Sequence, residues 1–290
     1  MRAQPGEAEF GSHRGPEVAV KVIRDPEYFE YVARAEEKAT RASTTSVDAL
    51  RPPLPVQLMQ AAAATASLLD LPQVPIIPLV SWHAMPETEC FATVTPFIHA
   101  RGVDCDSMAD VAHYISAVLT ALSILHDAGI IYRDVKPDNV VIDADTSAVY
   151  LIDFDISTFY NTRHGHYSCI GTHGYMAPEV EAMDTVHDDD EDDESFFSRV
   201  RGYTLAADMY SVGVMLGECL FSDTLDDFGV RSNPATIEAL LAAAAADPNA
   251  FGGSKVRLAA ADLARQLLAP VSADRPSAAA ALTHAFFKLA

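Results

Sequence analysis

Ile131–Asp155 reads IYRDVKPDNVVIDADTSAVYLIDFD, and the rest of the chain is interpreted outward from it. Arg133-Asp134 is followed two residues later by Lys136-Pro137, then by Asp138-Asn139 and the β-branched run Val140-Val141-Ile142. After a short polar turn, a second apolar run, Val149-Tyr150-Leu151-Ile152, ends in Asp153. Runs of this length and composition around a polar turn predict two short strands. Carboxylate and amide side chains then stand at the end of each adjoining loop. Asn139 and Asp153 are hard oxygen ligands of the kind that suits Mg²⁺, and Asp134 is a carboxylate that can orient a hydroxyl and take its proton.

Phosphoryl transfer asks for this grouping, one carboxylate for the attacking hydroxyl and an Asn and an Asp for the metal. The spacing Asp134, four residues, Asn139, then Asp153-Phe154, resembles the catalytic and metal-binding loops of eukaryotic-type protein kinases. Lys136, two residues after Asp134, resembles the serine/threonine class. Three later stretches extend the resemblance: Gly171-Thr172-His173-Gly174-Tyr175-Met176-Ala177-Pro178-Glu179, Asp208 within 207–213, and Asp274-Arg275-Pro276-Ser277.

The resemblance implies an α+β, bilobal fold with a small β-rich N-lobe over 1–98 and a larger helical C-lobe over 99–290, the latter interrupted by an acidic insertion at 184–194. It implies ATP and Mg²⁺ as cofactors. Asp134, Lys136 and Thr172 would be catalytic: Asp134 the base, Lys136 the counter-charge at the γ-phosphate, and Thr172 the hydroxyl that fixes both rotamers. Asn139 and Asp153 would hold the metal, and with Lys21, Pro96 and Ile98 they would bind the nucleotide. Glu179 would pair with Arg275, and Asp208 would anchor the catalytic-loop backbone. Two residues depart from the pattern. Tyr132 stands where His is commoner, and Asp155 replaces the Gly of Asp-Phe-Gly.

Upstream, residues 1–17 are rich in Gly, Pro and charge without the G-x-G-x-x-G of a phosphate-covering loop. Glu9-Phe10-Gly11-Ser12 reads either as a remnant of one or as part of a disordered N-terminus, and the first hairpin is expected to be shortened or missing. Val18–Ile23 (VAVKVI) predicts a strand buried on both faces. A lysine inside such a run needs an anionic partner, and the run resembles the family's V-A-I-K strand. Asp25–Ala42 predicts a helix with Asp25 as N-cap and Pro26 in the first turn. A second, Ala-rich helix is predicted over Val56–Leu71. The family's lysine pairs with a helix glutamate; Thr65 stands near that slot on the second helix, and Glu36 or Glu37 on the first. Strands are predicted at Ile76–Trp82 and Phe91–Val94, with a turn at Pro86-Glu87. Thr95–Ile98 resembles the inter-lobe hinge, where the Pro96 carbonyl and the Ile98 N–H would hold adenine. Val111, Ile115, Val118, Leu119, Leu122 and Leu125 fall at helical spacing within Ser107–Ala128, which Gly129 ends. From Thr236 to Ala290 the chain reads as mostly helical.

The net charge of −21 argues against nonspecific nucleic-acid binding, which needs Lys and Arg on phosphates, and favours basic peptides among protein substrates. The four cysteines show no metal-ligand or disulfide spacing and read as reduced thiols. Neither a signal peptide nor an uninterrupted apolar span is seen, so a cytoplasmic or nuclear monomer that binds no membrane is expected. Ser157, Thr158, Tyr160, Thr162, Tyr167 and Ser168 are hydroxyls whose phosphorylation could pair with Arg133. The acids at 188–194 read as a solvated loop or a docking site for a basic partner. Two functions compete: a serine/threonine protein kinase, carried by Lys21, Asp134, Lys136, Asn139, Asp153 and Thr172, or a pseudokinase acting as a scaffold, suggested by the eroded Gly-rich loop and Asp155.

Overall fold

The computed structural model describes residues 17–30, 52–69, 71–163, 165–185, 202–222, 224–225, 233–247 and 249–290. The Gly-containing stretch at 9–12, Glu36, Glu37 and the acids at 188–194 lie outside these residues. So does most of the helix expected at 25–42. Its described start, residues 26–30, is helical, and the Tyr28 N–H donates to Asp25 Oδ1 at 2.9 Å, an N-cap bond.

A small antiparallel sheet comes first, made of β1 (Val18–Arg24), β2 (Ser81–Met85) and β3 (Cys90–Pro96) in the order β1-β3-β2. In its register Ala19 faces Thr95 and Lys21 faces Thr93. Burial of β1 on both faces is not observed. Val18, Val20 and Val22 are 46%, 59% and 59% exposed, because among the described residues β1 lies at the edge of the sheet. The other expected strand, Ile76–Trp82, is also displaced. Ile76 and Ile77 are buried, but the Ile77 N–H donates to the Leu151 carbonyl and the Leu151 N–H to the Pro75 carbonyl. The start of this apolar run therefore crosses to the second part of the molecule, and bonding to the small sheet begins at Val80, whose N–H donates to the Val94 carbonyl at 2.8 Å, just ahead of β2.

Helix α1 (Leu54–Ala66) buries Val56, Leu58, Met59, Ala62 and Ala66. It stops short of the expected Leu71. Strand β4 (Ala100–Arg101) then leads into α2 (Met108–Asp127), whose N-cap Ser107 accepts from the Asp110 N–H at 3.2 Å. Asp110 in turn takes a two-pronged ion pair from Arg101. Gly129, with φ +71°, ends the helix in the left-handed region that glycine adopts without a Cβ penalty. α2 is long and apolar enough to cross a membrane by length and composition; here Val111, Ile115, Leu119, Leu122 and Leu125 lie in the protein core.

Strands β5 (Ile130–Ile131) and β8 (Thr158–Phe159) pair with each other, while β6 (Val140–Asp143) and β7 (Val149–Leu151) join β4. The helical part holds α3 (Pro178–Glu181), α4 (Ala206–Leu220), α5 (Pro234–Ala246), α6 (Lys255–Leu267), α7 (Ala278–Ala281) and α8 (Phe286–Leu289). α4 is buried almost throughout. Its glycines allow close neighbours: a Cβ on Gly213 would lie 2.9 Å from Leu268 Cγ, and one on Gly217 would overlap the Ile237 side chain on α5. Arg275 ties this layer together. It meets Glu179 at 2.6 and 2.8 Å and also donates to the carbonyls of Ala206 and Ala269. Removing one partner of such a buried pair costs ~3–5 kcal/mol. The result is a bilobal α+β fold, strand-rich first and helical after.

Candidate active site

The start of the loop 132–139 is anchored on one buried carboxylate. Asp208, 1% exposed near the start of α4, accepts from the backbone N–H groups of Tyr132 (2.9 Å) and Arg133 (2.8 Å) and from His126 Nε2 (2.9 Å). These bonds hold Arg133 at φ +73°, a conformation costly for a residue with a Cβ. Asp134 follows directly. The Thr172 hydroxyl donates to Asp134 Oδ1 at 2.5 Å, the Asn139 amide to Oδ2 at 2.7 Å, and Lys136 Nζ stands 2.8 Å from Oδ2 and 2.7 Å from Thr172 Oγ1. Asp134, Lys136, Asn139 and Thr172 are thus one bonded cluster. Asn139 spends its N–H₂ on Asp134, side chain and carbonyl, which leaves its oxygen as an acceptor.

Thr172 reaches the cluster because the preceding glycine lets the chain turn in. Gly171 has φ +148°, and a Cβ there would lie 2.8 Å from Met176 and 3.0 Å from the Arg133 carbonyl. Tyr132 connects the two loops. Its hydroxyl donates to the Ile152 carbonyl, and its ring stands edge-on to Phe154 at 5.6 Å.

Asp153, at φ +61°, carries the second group. Lys21 Nζ lies 2.9 Å from Asp153 Oδ1 and 2.8 Å from Asp155 Oδ2. Burial opposes the ammonium charge, but the Asp155 and Asp153 carboxylates outweigh it and hold the Lys21 pKa above its usual value. For the two carboxylates burial comes first and pushes up. Lys21 overrides it at Asp153, whose pKa ends below the usual range, whereas Asp155, facing Asp153, ends above. Met59 and Pro55 are the α1 residues in the cavity beside Lys21; Thr65 is not among its lining residues.

That cavity, of about 400 Å³, lies between the small sheet and the β6–β7 strands. Ala19 and Ile23 wall it from the sheet, and Val141 and Ile152 from the strands opposite. Thr95, Pro96 and Ile98 line it on the connecting segment, and Lys21 and Asp153 line it at the other end. A largely apolar cavity that also carries an ammonium and a carboxylate suits a nucleoside triphosphate with a divalent ion. Among the described residues no three His, Cys, Asp or Glu side chains converge as a ligand set. A metal at Asn139 and Asp153 would therefore complete its shell with phosphate oxygens and water, as Mg²⁺ commonly does.

Two further features were not identified from the sequence. Arg133 Nη2 donates to His166 Nδ1 at 2.7 Å and its guanidinium lies 5.8 Å from the Tyr203 ring centre. Burial, then the neighbouring Arg133 charge, lowers the His166 pKa to about 4. Of the hydroxyls expected near Arg133, Ser157 and Tyr167 are buried, and Ser157 donates to the Tyr132 carbonyl. Second, a groove of about 480 Å³ beside Thr172 is lined by Asp138, His173, Tyr175 and Glu218. The Tyr175 hydroxyl bonds Glu218 at 2.9 and 3.1 Å, and Ser211 Oγ donates to the Tyr175 carbonyl. Polar Asp208, Ser211 and Glu218 at i, i+3 and i+10 of an otherwise apolar helix were a readable signal for this face.

Residues 88–287 match the protein kinase domain family model. The chain is 38% identical over 112 residues to the putative ribosomal protein S6 kinase alpha-1 of Caenorhabditis elegans, covering 38% of this chain and 12% of that one. Against the serine/threonine-protein kinase AtPK1/AtPK6 of Arabidopsis thaliana it is 32% identical over 123 residues, 42% of this chain and 22% of the relative. Human ribosomal protein S6 kinase alpha-3 is 37% identical over 112 residues, 38% of this chain and 13% of the relative. The alignments thus span less than a quarter of these relatives' length.

Proposed function

Because the chain belongs to the protein kinase family, we propose that it is an active serine/threonine protein kinase, transferring phosphate from ATP to protein hydroxyls with Mg²⁺. The observation that carries this reading is the bonded cluster of Asp134, Lys136, Asn139 and Thr172 beside a slot that ends in Lys21 and Asp153. Bound ATP–Mg²⁺ supplies the phosphoryl group. Pro96 and Ile98 hold adenine through main-chain groups, and Lys21 holds phosphate oxygens. Asn139 and Asp153 hold the metal. Asp134 accepts a hydrogen bond from the substrate hydroxyl and takes its proton, with Thr172 fixing the carboxylate rotamer. Lys136 offsets the charge that develops on the phosphoryl oxygens. The intact cluster favours this over the pseudokinase reading, in which nothing would require Thr172 and Lys136 to converge on one carboxylate. The chain works as two lobes, 1–98 and 99–290, as a monomer in the cytoplasm or nucleus.

The test is transfer of radiolabelled phosphate with Mg²⁺. Asp134→Ala is expected to lower kcat by about 10²–10⁴-fold with folding unchanged; equal rates in variant and parent would overturn the enzyme reading. Substrate peptides are basic on this reading. Asp138 and Glu218 line the groove beside Thr172, and the chain carries a net charge of −21. Arg-bearing peptides should outperform acidic ones, with an advantage that shrinks as salt rises and shrinks further in Glu218→Gln. Equal rates for both peptide classes at low salt would remove the substrate assignment and leave the transfer chemistry standing.

A further inference from the structure

Lys21 lies between two carboxylates, Asp153 at 2.9 Å and Asp155 at 2.8 Å. On the kinase reading, which this inference takes as its premise, Asp153 is also the carboxylate that takes the metal. A divalent ion on Asp153 neutralises that carboxylate and repels an ammonium beside it. With its charge shared with the metal, Asp153 holds the ammonium less firmly. Among the described residues the helix wall offers no replacement, since α1 contributes Pro55 and Met59 to the cavity, and neither is an anion. Among the described residues Lys21 stands on a sheet edge, with its side chain 44% exposed, so an ammonium without an anchor has open water to turn into.

We propose that Asp155 is a positioning residue for Lys21. It supplies, from the loop itself, the carboxylate that keeps the ammonium at the phosphate end of the cavity while Asp153 is engaged elsewhere. The Asp155 N–H donates to Asp153 Oδ1 at 3.1 Å, so the two carboxylates sit in a fixed relation on either side of one cation. A second carboxylate placed where phosphates must approach is electrostatically adverse unless it is paired. Here its charge is spent on Lys21.

The test has two parts. In kinetics, Asp155→Gly is expected to lower kcat about tenfold or more, with a much smaller change in the KM for ATP. Met59→Glu in that background, which returns a carboxylate from the α1 wall, should recover most of the loss. The second part needs no turnover and no metal. Nitrogen-15 NMR of the lysine ammonium groups is recorded in Asp153→Asn protein, where the metal-binding carboxylate has lost its charge. The Lys21 ammonium should remain ordered there, become mobile in Asp153→Asn/Asp155→Gly, and regain order when Met59→Glu is added. An ammonium already mobile in Asp153→Asn overturns the proposal, as does an Asp155→Gly enzyme with the parent's kcat. If the parent itself transfers no phosphate to any substrate, the kinase reading fails, and the ammonium measurement still decides whether Asp155 holds Lys21.

Discussion

At His166 the ring nitrogen facing Arg133 must be bare, because it accepts a bond from the guanidinium at 2.7 Å. A proton on it would set one N–H against another. Burial, and after it the Arg133 charge, holds the pKa at about 4, against an ordinary value near 6.5. Between those two values the unfolded chain binds a proton that the folded chain refuses. Stability should therefore be flat above pH 7 and fall as pH drops through 6.5 toward 4, by about 1–2 kcal/mol from this residue once solvent screening is allowed for. Urea midpoints at pH 7.5 and 4.5 check this: His166→Gln, which keeps an acceptor and does not titrate, should lose less over that interval than the parent. An identical loss in both would assign the fall to carboxylates instead. His166 also shows what the sequence concealed at this scale. Asp134, Lys136 and Asn139 were legible because their spacing lies within one loop. His166 meets Arg133 from 33 residues away, and a lone histidine in a polar segment carries no pattern.

Helix α4 shows how packing decides an element. Its residues are apolar or small around nearly the whole circumference, and Gly217 gives α5 room to approach until the Ile237 side chain occupies the space of a Cβ. Gly217→Ala should cost about 1–3 kcal/mol through overpacking, despite the better helix propensity of Ala. Ile237→Val should return part of that in the double variant. Denaturant titration of the four proteins measures the coupling; additive effects would place the cost elsewhere. The long helix α2 was readable to within a residue at each end because its stripe, its serine cap and Gly129 all agree. Ile76–Trp82 was misread for a physical reason. An apolar run looks the same whether it pairs within its own sheet or crosses to Leu151, and no local signal separates the two. The same limit applies to the valines of β1. Their β-branched composition showed a strand, but which face meets solvent depends on what lies beside it.

At the scale of the molecule, the order of motifs made the two-part architecture legible, since each stretch resembling the family also fixes its place along the chain. The charge partner of Lys21 was not legible. The family pattern points to a helix glutamate, whereas the described helix offers Met59, and the anion comes from Asp155. A departure that looked like damage in the sequence is, in three dimensions, half of an ion pair.

β1 has one further consequence. Among the described residues it is bonded along β3 alone, whereas β3 is bonded on both sides, and the catalytic loop is tied to a carboxylate in the centre of the helical part. The molecule should therefore open in stages. In hydrogen exchange, the amides of Val18–Arg24 that bond β3 should exchange through local opening well below the global unfolding free energy. Those of Tyr132 and Arg133 should exchange only with global unfolding. Equal protection of the two sets would show that the sheet edge is clamped. Otherwise, on the kinase reading proposed above, the strand that carries Lys21 opens while Asp134 stays in place, and the lifetime of β1 would be a clock on how long a nucleotide could stay.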